Sequence, residues 1–211
     1  MTSSTPAGRI AKLFGEDDGK VADYIRQGEK IESYISRKLG DRNLWALGPE
    51  KRRLMFALVK LLRPEVAVET GVGAGSSTTT ILAALGKGVL HSIDLGVKYG
   101  NEKEEYPVGF LVPERLRGKW RLHTGNSADL LVPLLDELGT IQLFYHDSTH
   151  EEKHVMFELR NAWDHMERGI LAVDNYMWTP APGKLSLEKG ARLMQLSRRQ
   201  GGFCIIPKNI G

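Results

Sequence analysis

Four short stretches of this 211-residue sequence carry residue types that can do chemistry. The first is Glu69-Thr70-Gly71-Val72-Gly73-Ala74-Gly75-Ser76-Ser77. Its alternate glycines let the chain turn sharply and let its backbone approach a ligand closely. A helix starting straight afterwards presents unpaired N–H groups and the positive end of its dipole. The second is His91-Ser92-Ile93-Asp94. An acid in this place can accept both hydroxyl protons of a ribose, or be only a solvated turn residue. The third is Gly125-Asn126-Ser127, where a helix cap is the plainest role. The fourth is in two parts, Tyr145-His146-Asp147-Ser148-Thr149-His150-Glu151-Glu152 and Val173-Asp174-Asn175-Tyr176, and gathers acids, an amide and imidazoles.

These residues need a scaffold, and the hydrophobic pattern supplies one. Short apolar runs at 66–68, 89–95, 120–124, 141–145 and 170–173 alternate with helical stretches at 78–85, 128–138 and 151–167. That alternation predicts an α/β fold, a parallel sheet with helices on both faces. Ligands of such sheets bind beyond the carboxyl ends of the strands. Asp147, His150, Asp174 and Asn175 should therefore converge near the glycine loop. Thr149 with Glu152 has the spacing of a capping box. Upstream, 20–39 reads as helix, with Gly28 allowing two short helices and Gly40 a stop. Residues 49–62 read as a helix opened by Pro49-Glu50 and closed by Pro64. Residues 1–19 read as a loose tail, 96–118 as a long binding loop, 186–200 as a helix and 203–206 as a final strand. The expected division is 1–47, tail and helical cap, and 48–211, ligand-binding domain.

The glycine loop discriminates between ligands. A dinucleotide fingerprint G-x-G-x-x-G starting at Gly71 needs glycine where Ser76 stands, and starting at Gly73 it needs glycine at Thr78. A P-loop needs Gly-Lys-Ser/Thr, and Gly86-Lys87 is followed by Gly88. The pattern present, E-x-G-x-G-x-G, resembles motif I of class I S-adenosylmethionine (SAM)-dependent methyltransferases, a Rossmann-like fold. The resemblance implies that Glu69, Gly71, Gly73, Gly75 and Ser77 surround the methionine part of SAM. It places Asp94 on the ribose, Asn126 and Ser127 beside the adenine, and Asp147 at the edge of the cofactor site. The fourth stretch resembles, more narrowly, the metal-dependent O-methyltransferases of the catechol and macrolide-sugar types, with motifs matching over roughly residues 48–205. That implies magnesium on Asp147, Asp174 and Asn175, and His150 of Asp147-Ser148-Thr149-His150 as general base. The chemistry is consistent: the sulfonium methyl is already activated, whereas a hydroxyl needs a base or a metal to become a nucleophile. Carboxylate and amide oxygens suit a hard ion. The competing reading is that Asp147 and Asp174 are cap or strand-end residues without a metal.

Composition narrows the field further. Lys+Arg 29 against Asp+Glu 26 gives a net charge of only +3, far from a dedicated nucleic-acid binder. Lys51-Arg52-Arg53 and the basic residues of 115–121 keep an RNA methyltransferase in view, although a solvated helix face explains the first cluster. The place after the fourth strand reads His146-Asp147-Ser148-Thr149, not the Asp/Asn-Pro-Pro-Tyr/Phe of exocyclic-amine methyltransferases. The same fold pattern is also compatible with an NAD-dependent oxidoreductase or a catalytically silent binding protein. His146, His150 and His154 could be read as a zinc set, but a strand end does not share a helix face, and His154 reads as a surface residue. One cysteine, Cys204, fits a reducing compartment and hence the cytoplasm, and no run of 18 apolar residues spans a membrane. The expected acceptor is a small molecule. Only one strand of the family's terminal hairpin is legible, so the sheet edge is expected to be open, with a homo-oligomer as one way to cover it.

Overall fold

The computed structural model describes residues 5–42, 44–96, 99–101 and 104–210. The chain opens with helix α1, Pro6–Phe14, where loose chain is expected. Thr5 caps it, its hydroxyl accepting from the Gly8 N–H at 3.1 Å, and Ile10, Ala11 and Leu13 are buried. Helix α2 runs unbroken over Asp18–Leu39. Gly28 does not split it but lets it cross the next helix closely. A Cβ there would lie 3.1 Å from the Phe56 Cβ and 3.3 Å from the Arg53 Cα. Helix α3 is Pro49–Leu62, as the proline bracket predicts.

From there strands and helices alternate: β1 (Val66–Thr70), α4 (Ser76–Ala84), β2 (Val89–Asp94), the hairpin β3 (Tyr99–Asn101) and β4 (Glu104–Tyr106), α5 (Glu114–Arg117), β5 (Trp120–Thr124), α6 (Ser127–Leu138), β6 (Leu143–His146), α7 (Glu152–Asp164), β7 (Gly169–Asp174), α8 (Ala181–Glu188), β8 (Met194–Ser197) and β9 (Phe203–Lys208). Seven strands form one sheet in the order β5-β2-β1-β6-β7-β9-β8. The first five are parallel, while β9 and β8 are antiparallel to their neighbours. The strand order reverses at β1, where the crevice of such a sheet opens.

Side chains alternate across the strands, so successive residues enter two different cores. Ala67, Leu143, Ile170 and Ile205 pack with α1–α4, whereas Val68, Phe144, Leu171 and Ile206 pack with α6–α8. The segment before residue 48 contributes Ile10, Val21, Ile31 and Ile35 to the first core.

Three expectations are corrected here. The stretch 186–200 is not one helix: α8 ends near Gly190, at φ +60°, and Met194–Ser197 is the edge strand β8. This strand completes the terminal hairpin, so the open edge that suggested an oligomer is filled by the chain itself. Leu193, Met194 and Leu196 fit a helical period as well as an alternating one, which hid the strand. The capping box does not form. Glu151 occupies the cap position without a side-chain bond, and Glu152 pairs with Lys184 at 2.5 Å. The loop 96–118 carries the β3–β4 hairpin and the short α5, and its residues 97, 98, 102 and 103 lie outside the described residues.

Candidate active site

Gly71, Gly73 and Gly75 take φ values of +84°, +50° and +88°, a left-handed backbone that suits glycine. A Cβ on Gly71 would collide with the carbonyl of Asp147, and one on Gly75 would lie 2.8 Å from the Gly109 Cα. The loop is tied down by Asp94, whose Oδ2 accepts the N–H groups of Val72 at 2.9 Å and Gly73 at 3.0 Å, and whose Oδ1 accepts that of Gly96 at 3.0 Å. Glu69 is not on the cleft wall. It is fully buried beneath the loop, where it accepts hydroxyl bonds from Ser77 at 2.5 Å, Thr78 at 2.7 Å and Ser92 at 2.7 Å. Burial outweighs those bonds and pushes its pKa up to about 7. Asn126 caps α6, its Oδ1 accepting from the Ala128 N–H at 2.9 Å, and it also lines the cleft.

The cleft has a volume of about 660 Å³, of the size that holds a cofactor. Its walls include Gly71, Gly73, Ser77, Asp94, Asn126, Ser127, Asp147, His150, Asn175 and two tryptophans, Trp45 and Trp178. The strand ends thus bring together nearly all the residues singled out from sequence; Glu69, Gly75 and Asp174 stand behind the wall.

Below the cleft lies a residue the sequence did not single out. Glu158, on α7, is fully buried and collects five donors. Thr70 Oγ1 at 2.7 Å and His146 Nδ1 at 2.6 Å reach its Oε2. Ser127 Oγ at 2.6 Å, Ser148 Oγ at 2.9 Å and His154 Nε2 at 2.8 Å reach its Oε1. Burial raises the pKa of this carboxyl, but the bonds from His146, His154 and Ser127 outweigh it and leave the group below the usual range. His154 is therefore part-buried, bonded to a carboxylate at the cleft edge, and the three histidines do not gather as a zinc set. Glu158→Ala strands buried donors and should cost about 3–5 kcal/mol of stability. Denaturant titration, showing a lower midpoint at unchanged slope, checks this.

His150 sits in the loop before α7, not on the helix. Its Nε2 lies 3.2 Å from the Asn175 Nδ2 and its ring is edge-on to Trp178 at 5.0 Å. Burial, then the neighbouring His146 and Lys51 charges, lower its pKa to about 4. The first cause is burial.

Asp174 is buried and its Oδ1 is 2.5 Å from the Nζ of Lys51, itself only 2% exposed. Lys51 and Arg52, expected on a solvated helix face, are both buried. Arg52 bonds the Leu47 carbonyl at 2.8 Å, Ser36 at 2.7 Å and Glu32 at 3.2 Å. Burial, and the charge of Asp174 behind it, raise Asp147 well above the usual carboxylate range, and Tyr145 donates its hydroxyl to Asp147 Oδ2 at 3.2 Å. A magnesium ion on Asp147, Asp174 and Asn175 does not fit this arrangement. One carboxylate is already paired with an ammonium, and the Asn175 amide faces His150. Among the described residues no group of three or more His, Cys, Asp or Glu side chains is placed to hold a metal.

Known proteins share the fold. The sequence profile of a family described as "Methyltransferase domain" matches residues 68–176. No curated protein matches the sequence. Solved structures with a similar fold include a methyltransferase from Geobacter sulfurreducens, 12% identical over 85% of this chain and 88% of that one, with a TM-score of 0.61. The O-methyltransferase TomG from Streptomyces achromogenes, solved in complex with SAM, is 16% identical over 96% and 95%, with a TM-score of 0.59. An O-methyltransferase from Bacillus cereus, solved with SAH, is 12% identical over 95% and 96%, with a TM-score of 0.56.

Proposed function

The chain belongs to the methyltransferase-domain family, and from that premise we propose that it transfers the methyl group of SAM to a hydroxyl of a small molecule, with His150 as general base. The observation that carries this reading is the single cleft in which the glycine loop and Asp94 stand across from His150 and Trp178. Gly71 and Gly73, with Ser77, would border the methionine part of SAM, Asp94 the ribose, and Asn126 and Ser127 the adenine. Glu69 and Gly75 set the shape of the loop. In the transfer the acceptor O–H proton passes to the His150 imidazole, the new O–CH₃ bond forms as the S–CH₃ bond breaks, and neutral S-adenosylhomocysteine leaves. With its hydrogen on the buried Nδ1, the neutral ring is basic at Nε2, which the Asn175 amide faces at 3.2 Å; the acceptor hydroxyl would take the place of that amide to deliver its proton to Nε2. The exposed faces of Trp45 and Trp178 at the cleft offer an apolar seat for the acceptor's body.

The RNA reading loses its main support, since Lys51 and Arg52 face inward. The NAD reading lacks its fingerprint. Among the described residues no helix is long and apolar enough to cross a membrane, and the free, buried Cys204 suits a reducing cytoplasm.

Calorimetry tests the cofactor: S-adenosylhomocysteine should bind with a Kd on the order of micromolar, about −8 kcal/mol. Binding of NAD with no heat from S-adenosylhomocysteine would overturn the proposal, and an RNA mobility shift lost at high salt would favour a nucleic-acid acceptor. Labelled methyl transfer from SAM to a panel of hydroxyl compounds then tests the reaction.

A pH profile provides a further check. With its pKa lowered to about 4, His150 is neutral from about pH 5 upward. The acid limb of kcat/KM is expected near pH 4, with folding at each pH checked by circular dichroism, and not at the ordinary histidine value near 6.5. The same shift acts on stability. Between about 4 and 6.5 the unfolded chain binds the proton and the folded chain does not, so His150 lowers stability as pH falls through that window.

A further inference from the structure

We propose that the ammonium of Lys51, seated on Asp174 behind the wall of this cleft, is its resident cation, and that the chain transfers methyl groups without a divalent metal. The inference rests on the methyl-transfer reading above and deepens it.

Lys51 lies in the first turn of α3, upstream of the segment that matches the family profile. Its Nζ is 2.5 Å from Asp174 Oδ1 at the end of β7 and 2.6 Å from the carbonyl of Gln200 in the β8–β9 turn. It thereby sits on the carboxylate that a divalent ion would need first. A buried ammonium that donates to a carboxylate and a carbonyl is a satisfied group, and leaving that position would strand both acceptors. Nor does α3 leave it room to swing away. The helix start is fixed by the Ser197 hydroxyl donating to Glu50 Oε2 at 2.6 Å and by Arg52 donating to the Leu47 carbonyl at 2.8 Å.

Two neighbouring groups already face other partners. Asn175, at φ +50°, turns its amide nitrogen to His150, and its Oδ1 lies so close to the Gly201 backbone that a Cβ there would collide with it. Asp147 Oδ2 accepts from Tyr145. A divalent ion entering among these groups would lie beside a fixed positive charge of the same sign in a buried place, where charges are poorly screened. One ammonium instead supplies the single positive charge that Asp174 requires, and leaves proton removal to His150. Lys51 is on this view a positioning residue: it acts on the acceptor end through Asp174.

Manganese, used alone as the probe, gives a test independent of turnover. The full-length protein is titrated with Mn²⁺ and followed by electron paramagnetic resonance, with and without S-adenosylhomocysteine. The wild-type chain should show no stoichiometric binding below millimolar Mn²⁺, and its methyl transfer should be unchanged after exhaustive chelation. Lys51→Met empties the cation position and should bind one Mn²⁺ at least tenfold more tightly than wild type. Lys51→Met with Asp174→Asn should lose that gain. If Lys51→Met does not fold by circular dichroism, Lys51→Gln, which keeps a donor for the Gln200 carbonyl, is titrated in its place. One Mn²⁺ bound per wild-type chain at micromolar concentration overturns the proposal. So does a folded Lys51 variant that gains no Mn²⁺, because the lysine then only braces α3. Failure of the methyl-transfer reading would appear separately, as absent S-adenosylhomocysteine binding, and leaves the cofactor-free manganese titration interpretable.

Discussion

Replacing His150 by alanine is expected to lower the rate of methyl transfer by about 10²–10⁴-fold, the usual worth of a positioned general base. S-adenosylhomocysteine affinity should stay within about threefold. The two halves of that expectation have different origins. The imidazole is half-buried beside Asn175 and Trp178, and its low pKa keeps it unprotonated. The glycine loop is built without it: Asp94 ties down the N–H groups of Val72 and Gly73, and Glu69 gathers the hydroxyls behind. Steady-state and single-turnover rates with a true acceptor, beside calorimetry on the same preparation, separate the two. Normal turnover of the variant removes His150 as the base. A collapse of cofactor binding makes it a structural residue, and the assignment then fails for a different reason.

Gly73→Val should weaken S-adenosylhomocysteine binding by about 100-fold or more, corresponding to at least about 2.7 kcal/mol. Gly73 has φ +50°, lines the cleft, and gives its N–H to Asp94 while its carbonyl accepts from the Gly109 N–H at 2.9 Å. Valine is branched at Cβ, adopts that backbone at a cost of about 1–2 kcal/mol, and adds two methyl groups to a wall that a ligand must approach closely. A thermal-shift series with and without S-adenosylhomocysteine checks both parts. The variant should melt lower, and the ligand should raise its melting point far less than that of wild type. Undiminished binding would place the cofactor elsewhere in the cleft.

How much of the site could be read before the structure depends on how local each signal is. The glycine loop was legible because strand, turn and helix are consecutive, and Asp94, Asp147 and Asp174 because each ends an apolar run. Two local signals misled. Residues 5–14 are rich in small and polar types, yet Thr5 and Pro6 start a helix whose apolar face is buried. Gly28 allows two short helices by its pattern but serves a close helix crossing, which no single-helix pattern reveals.

By itself, then, the sequence determined the alternation of strands and helices, the nucleotide-type loop and the acids at the carboxyl ends of the strands. These follow from periodicity and turn chemistry over a few residues. Only the tertiary structure decided what those acids meet. Lys51 reaches Asp174 across 123 residues because the first turn of α3 meets the end of β7 and the β8–β9 turn, and Glu158 reaches Thr70 across 88 because α7 packs in the same core as β1 and β6. A buried charge is tolerated only where another group answers it. Which group does so is set by the strand order β1-β6-β7-β9, a contact between distant parts of the chain that no local pattern encodes.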